Sequence, residues 1–229
     1  MSKQIITCTD CEFKSSCFQQ LNSNELLLTN ESKVQVNYKK GETISKQGSF
    51  VTHILYVKEG IVKVYRENED NTNSIFNIYP EKSLIGLSSL FYSETFQYSV
   101  AALSDARICA IDRKVIQQII QDNSSFAAAV IKSLNEEISQ LQEKMISLTL
   151  KQLQGRLADS LLHLSAIVYE KNSFPMIASR KELAEFSGMS TMSVVRTMQF
   201  FMKNNIVDEK DGKIHIKDRS ALKHMAEIR

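Results

Sequence analysis

The chain has 229 residues, 43% hydrophobic and 24% charged, an ordinary composition for a water-soluble protein and enough for one large or two modest cores. No run of about 18 apolar residues offers a membrane span, and the opening MSKQIITCTDC lacks a signal peptide's apolar core, so a cytoplasmic protein with no membrane association is expected. The net charge of +2 conceals an asymmetry: residues 1–150 carry 15 Lys+Arg against 17 Asp+Glu, and residues 151–229 carry 13 against 9. A mildly basic C-terminal part suits phosphate contact, although a solvated basic surface would look the same.

Three cysteines come first, Cys8, Cys11 and Cys17 in the spacing C-x2-C-x5-C, and Cys109 follows on a predicted strand. In a reducing cytoplasm metal or redox chemistry is a sharper expectation than two disulfides. The loop can wrap three thiolates around one centre while the strand supplies a fourth, a donor set for an iron–sulfur cluster or a zinc ion. The N-terminal three can form a small redox or zinc loop without Cys109, and Cys109, alternating with apolar neighbours, can be a buried strand residue.

Residues 33 to about 112 read as β-rich, with strands predicted at 34–38, 54–57, 61–65, 74–79, 99–103 and 106–111. Gly41, Gly48, Gly60 and the 68–73 turn separate them, which suggests a sandwich or barrel of the size of a sensor domain. A long helix is expected over 126–150. Ile131, Leu134, Ile138, Leu141, Met145 and Leu148 step by alternating threes and fours, flanked by Glu136, Glu137, Gln140, Gln142, Glu143 and Lys144. Such a seam predicts a parallel homodimer, the alternative being one helix packed on its own β domain. Another amphipathic helix is expected over 151–169, then a loop over 171–174 ahead of Pro175.

The stretch RKELAEFSGMSTMSVVRTMQ at 180–199 has the spacing of two helices crossing at a tight turn. Ser179 with Glu182 forms a capping box, Leu183 and Phe186 supply a buried face, and Ala184 meets the second helix. Gly188 gives the turn its positive φ, Ser190 caps the next helix and Val194 packs back. Thr191, Met192, Ser193, Val195, Arg196 and Gln199 then face outward, with Arg180 and Ser190 at the helix starts, as a surface for a major groove. Ile206–Lys210, an Asp211-Gly212 turn and 213–216 read as a β-hairpin, the wing of a winged helix. The expected class is α+β: an N-terminal cyclic-nucleotide-binding-like β-roll (1–125 with the cysteine segment), a dimerisation helix (126–150) and a C-terminal winged helix-turn-helix (151–229).

This order resembles the Crp/Fnr family of bacterial transcription regulators. The resemblance rests on Gly41-Glu42, Gly48, Gly60, Ile85-Gly86-Leu87, Gly155-Arg156-Leu157-Ala158 and the winged helix-turn-helix, and it spans nearly the whole chain. It implies a homodimer on a palindromic double-stranded operator, with RNA polymerase as a partner and no enzymatic activity. The cysteine spacing is similar to the oxygen-sensing Fnr branch, which implies a [4Fe–4S] cluster on Cys8, Cys11, Cys17 and Cys109. That branch carries an acidic residue in its dimer seam where this chain has Leu141, which favours a dimer with or without a cluster.

Members that bind cAMP use a Glu for the ribose and an Arg-Ser pair for the phosphate. The matching stretches here are Gly86-Leu87-Ser88 and Tyr98-Ser99, so Leu87 replaces the Glu and Tyr98 the Arg, and cAMP is not expected in this pocket. In the reading helix Met192 stands at the family's Glu place and Arg196 at its Arg place, so half of the base code is missing. A different class also fits the sequence: a redox or cofactor-binding scaffold whose helix-turn-helix contacts protein. His53, His163, His215 and His224 show no ligand spacing and are expected to be core or solvated residues.

Overall fold

A computed structural model describes residues 7–227, apart from 10, 13, 70, 71 and 170. The opening hexapeptide and the tip of the predicted 68–73 turn therefore lie outside the described residues. Two compact units result, Met1–Val62 with Tyr79–Ser139, and Lys63–Ile78 with Gln140–Arg229. Among the described residues, no helix is long and apolar enough to cross a membrane.

The first helix, α1 (Ser23–Glu31), starts in a capping box: the Asn22 side chain accepts from the amides of Asn24 and Glu25, and Glu25 accepts from the Asn22 amide. Eight strands follow, β1 (Lys33–Tyr38), β2 (Thr43–Ser45), β3 (His53–Glu59), β4 (Val62–Glu67), β5 (Asn73–Tyr79), β6 (Leu84–Ile85), β7 (Ser99–Ala102) and β8 (Ala106–Asp112). Six match the predicted strands to within a residue or two. β2 and β6 were not expected, because strands of two or three residues are too short to show a period.

In the first unit β1, β8, β3 and β6 form an antiparallel sheet in that order, and β2 pairs with β7. β3 lies between β8 and β6 with Ile54, Leu55, Tyr56 and Val57 all buried, so both of its faces are covered. Each such side chain contributes about 1.5–3 kcal/mol by leaving water. Gly60 ends β3 at φ +90°, and a Cβ there would collide with the carbonyl of Asp105, so only glycine lets the backbones approach this closely.

Asp112 caps α2 (Arg113–Asp122), which buries Ile116 and Ile119, and the Asn123 side chain accepts from the Phe126 amide at the start of α3 (Ser124–Leu150). The second unit continues with α4 (Leu153–His163) and a π-helical turn at Leu164–Val168. Next come β9 (Ser173–Pro175), α5 (Arg180–Ser187), α6 (Thr191–Lys203), β10 (Val207–Lys210), β11 (Lys213–Ile216) and α7 (Arg219–Glu227).

The loop expected over 171–174 needs correction. Ser173–Pro175 is a strand that pairs with β11, giving a three-stranded sheet in the order β10-β11-β9. Phe174 stands opposite Ile214, both are buried, and Phe174 stacks on Tyr169 with ring centroids 5.0 Å apart. Pro175 is tolerated because β9 is an edge strand, where a missing N–H breaks no ladder.

Candidate nucleic-acid interface and sensor positions

The helix-turn-helix is built from its local chemistry. The Ser179 hydroxyl accepts from the Glu182 amide at 3.1 Å, and the Glu182 carboxylate accepts from the Ser179 amide at 2.8 Å, so the box that starts α5 closes in both directions. Gly188 ends α5 in the left-handed region at φ +63°, and the Met189 amide returns to the Ala184 carbonyl at 3.0 Å. A Cβ on Gly188 would collide with the Leu148 side chain. Ser190 then caps α6 by accepting from the Ser193 amide at 3.1 Å.

Leu183, Ala184, Phe186, Val194, Met198 and Phe201 are all buried, which fixes how α5 and α6 cross. The opposite face of α6 is left to solvent. Ser190, Thr191, Met192, Arg196 and Gln199 are exposed, while Ser193 and Val195 are half-buried. Met192, Arg196 and Gln199 are four and three residues apart and share one stripe. Among the described residues Arg196 makes no ion pair, so its guanidinium remains available.

The wing closes at Asp211 (φ +53°) and Gly212 (φ +69°), the pair of left-handed residues that a tight two-residue hairpin demands. Arg180 is half-buried and its guanidinium binds Glu209 on β10, which ties the start of α5 to the wing. The sequence reading also missed Lys63 on β4. Its ammonium donates to the capping Glu182 at 2.8 Å, with the two side chains 12% and 20% exposed. The lysine lowers the Glu182 pKa against the effect of burial.

Along α3 the predicted seam is largely open on the single chain. Ile131 (59%), Ile138 (50%), Leu141 (42%) and Met145 (63%) are exposed, and Leu134 and Leu148 are half-buried. Two expected flanks of the seam are not solvated. The Tyr79 hydroxyl donates to Glu137, whose pKa burial raises. Lys144 turns inward, donating to the carbonyls of Ile75 at 2.6 Å and Phe76 at 3.1 Å, with its ammonium 3.7 Å from the centroid of the Phe186 ring.

In the β-roll, Gly86 (φ +98°), Leu87, Ser88, Tyr98 and Ser99 do come together. The Tyr98 hydroxyl is hydrogen-bonded to the Ser88 side chain and the Gly86 backbone, and burial pushes its pKa up to about 12. Ser99 accepts from the Gln47 amide at 3.0 Å, and the Phe96 ring packs against Gly86 and Tyr98. The polar side chains of Ser88, Tyr98 and Ser99 are thus engaged within the protein.

Cys8, Cys11 and Cys109 line one small cavity together with Lys33 and Lys58, and the Lys33 ammonium donates to the Cys8 sulfur at 3.1 Å. Cys17 is buried but does not line that cavity, and burial raises its thiol pKa. Among the described residues no three His, Cys, Asp or Glu side chains converge closely enough to hold a metal. The thiols have the right donor chemistry, but in this arrangement they do not form a four-thiolate cage.

A β-roll with its buried turn at Gly86 is thus followed along the chain by a long helix and a winged helix-turn-helix, the architecture of a DNA-binding regulator. Residues 35–123 match the model of the cyclic nucleotide-binding domain, and residues 155–225 match that of the Crp-like helix-turn-helix domain. The transcriptional activator protein Anr of Pseudomonas protegens is 24% identical over 217 residues, covering 92% of this chain and 88% of Anr. The fumarate and nitrate reduction regulatory protein of Escherichia coli is 22% identical over 227 residues, covering 96% and 90%. Among solved structures, FixK2 from Bradyrhizobium japonicum superposes with a TM-score of 0.78 at 17% identity, covering 86% of this chain and 98% of FixK2. The chain belongs to the Crp/Fnr family of transcription regulators, a family of DNA-binding proteins and not of enzymes.

Proposed function

We propose that this DNA-binding transcription regulator is a cytoplasmic homodimer that reads a palindromic operator in double-stranded DNA and works with RNA polymerase. The observation that carries this reading is the solvent face of α6. Thr191, Met192, Arg196 and Gln199 project from a helix whose cap, turn and buried face are all locally satisfied. Arg196 is the side chain suited to a guanine edge, Met192 can meet only an apolar group such as a thymine methyl, and Ser190, Thr191 and Ser193 suit phosphates. Val195 lies at the edge of this surface, and Arg180 acts indirectly by holding the wing through Glu209.

The proposed division of labour assigns 1–125 to sensing, 126–150 to dimerisation and 151–229 to DNA. Exposed Ile131, Ile138, Leu141 and Met145, with Leu134 and Leu148, supply the two-fold contact that a palindrome requires. Replacing Arg196 by Ala tests the reading. Binding to operator duplex should weaken about 5- to 150-fold, the equivalent of losing one bidentate base contact of about 1–3 kcal/mol. Unchanged binding would favour a scaffold whose helix-turn-helix contacts protein.

Two family inputs are candidates for the signal, the β-roll turn at Gly86, Leu87, Ser88, Tyr98 and Ser99, and the cysteines. That Cys8, Cys11 and Cys109 line one cavity supports thiol-based sensing over cAMP. A [4Fe–4S] cluster would require Cys17 to join them. Iron and sulfide content of protein purified without oxygen decides this, and iron-free protein would remove the cluster reading.

A further inference from the structure

A cavity of about 360 Å³ lies within the unit of Lys63–Ile78 with Gln140–Arg229, a size typical of small-molecule sites. Neither the face of α6 nor the β-roll turn uses it. Phe76, Leu148 and Phe186 give it apolar walls, and Lys144, Arg156 and His163 give it polar ones.

Two of the polar groups, Lys144 and Arg156, are cations. Lys144 is held by two carbonyls and an aromatic face, and Arg156 donates to the carbonyls of Lys151 at 3.0 Å and Gly188 at 3.3 Å. Among the described residues neither cation has a carboxylate partner. The acids of the lining do not neutralise them: Asp159 is bound to Lys151 at 2.8 Å and to the Ser147 hydroxyl at 2.5 Å, and Glu143 is exposed. Among the described residues the His163 Nε2 is buried without a hydrogen-bond partner, while the ring is held by the Ile78 backbone.

We infer that this cavity binds a small organic anion, a carboxylate or phosphate ester with an aromatic or aliphatic body. The anionic head would meet Lys144 and Arg156, and the body would lie between Phe76, Leu148 and Phe186, beside the neutral His163 ring. Burial alone pushes the Lys144 pKa down to about 7, and an adjacent anion would raise it again, so binding above that pH should take up a proton. Leu148 abuts Gly188 and Arg156 holds the Gly188 carbonyl, so an occupant touches the residues that fix the helix-turn-helix turn. The last consequence, altered operator affinity, rests on the DNA-reading function, whereas binding itself does not.

Calorimetry on the full chain with phenyl phosphate and benzoate as probes, and benzyl alcohol as the neutral counterpart, tests the site. The expected result is one anion per chain, with proton uptake visible as a dependence of heat on buffer, and no saturable binding of the alcohol. Arg156→Gln should weaken binding at least about tenfold, and Ala166→Phe, at an exposed lining position, should block it while leaving the fold intact. Absence of binding by both anions, equal binding of the alcohol, or anion binding unchanged in both variants would overturn the proposal. Binding of operator by the ligand-free chain is measured separately, so failure of the site and failure of the DNA reader remain distinguishable.

Discussion

Gly188 does two things at once: it supplies a left-handed backbone and leaves room for Leu148. Gly188→Ala should therefore cost more than the ~1–2 kcal/mol of left-handed strain alone, and urea unfolding should place the variant well below the parent. A loss under about 0.5 kcal/mol would contradict the packing described. His163 makes a pH prediction. Burial, and then the charge of Lys144, lower its pKa to about 4 from an unfolded value near 6.5. The folded chain thus excludes a proton that the unfolded chain binds between those limits. Its stability contribution is complete above pH 6.5 and is lost as pH falls toward 4, by up to about 3 kcal/mol. Thermal melts across that window should fall more steeply for the parent than for His163→Gln, and parallel curves would refute the assignment. Ser179, Gly188 and Ser190 were legible in the sequence because caps and turns are decided by residues two to four positions away. Lys63 and Lys144 were not, because their partners lie 119 and 69 residues distant.

At the level of elements, α3 shows what periodicity can and cannot reveal. The three-four spacing of its apolar residues is written in the chain, but a period does not say which charged flanks face water. Glu137 and Lys144 were read as flanks and are engaged by Tyr79 and by the backbone of β5. Because Ile138 is half exposed on the single chain, Ile138→Asp should leave the fold unchanged while converting a sedimenting dimer to a monomer. A variant that still sediments as a dimer would move the interface elsewhere. α2 carried a readable signal in Ile116, Ile119 and Ile120, whereas the continuous Leu26-Leu27-Leu28 run of α1 has no helical period to read. β9 was hidden because Pro175 normally ends a strand, and only its pairing with β11 makes Ser173–Pro175 an edge strand.

For the whole molecule, the order of β-roll, long helix and winged helix was evident from the sequence because each part carries its own period and turn chemistry. The sensing chemistry was not, since it depends on how distant side chains meet. Tyr98 bonds to Ser88 at the β-roll turn, Cys17 is buried and does not line the cavity shared by the other three cysteines, and the cavity beside Lys144 has no local motif. In the proposed function two copies of α6 read DNA together. The most direct test is to select duplexes from a random library with the purified chain and sequence those retained. The expected result is an inverted repeat with half-sites about one helical turn apart, containing a G·C pair whose preference disappears with Arg196→Ala. Enrichment of asymmetric sites, or of no sequence at all, would contradict it.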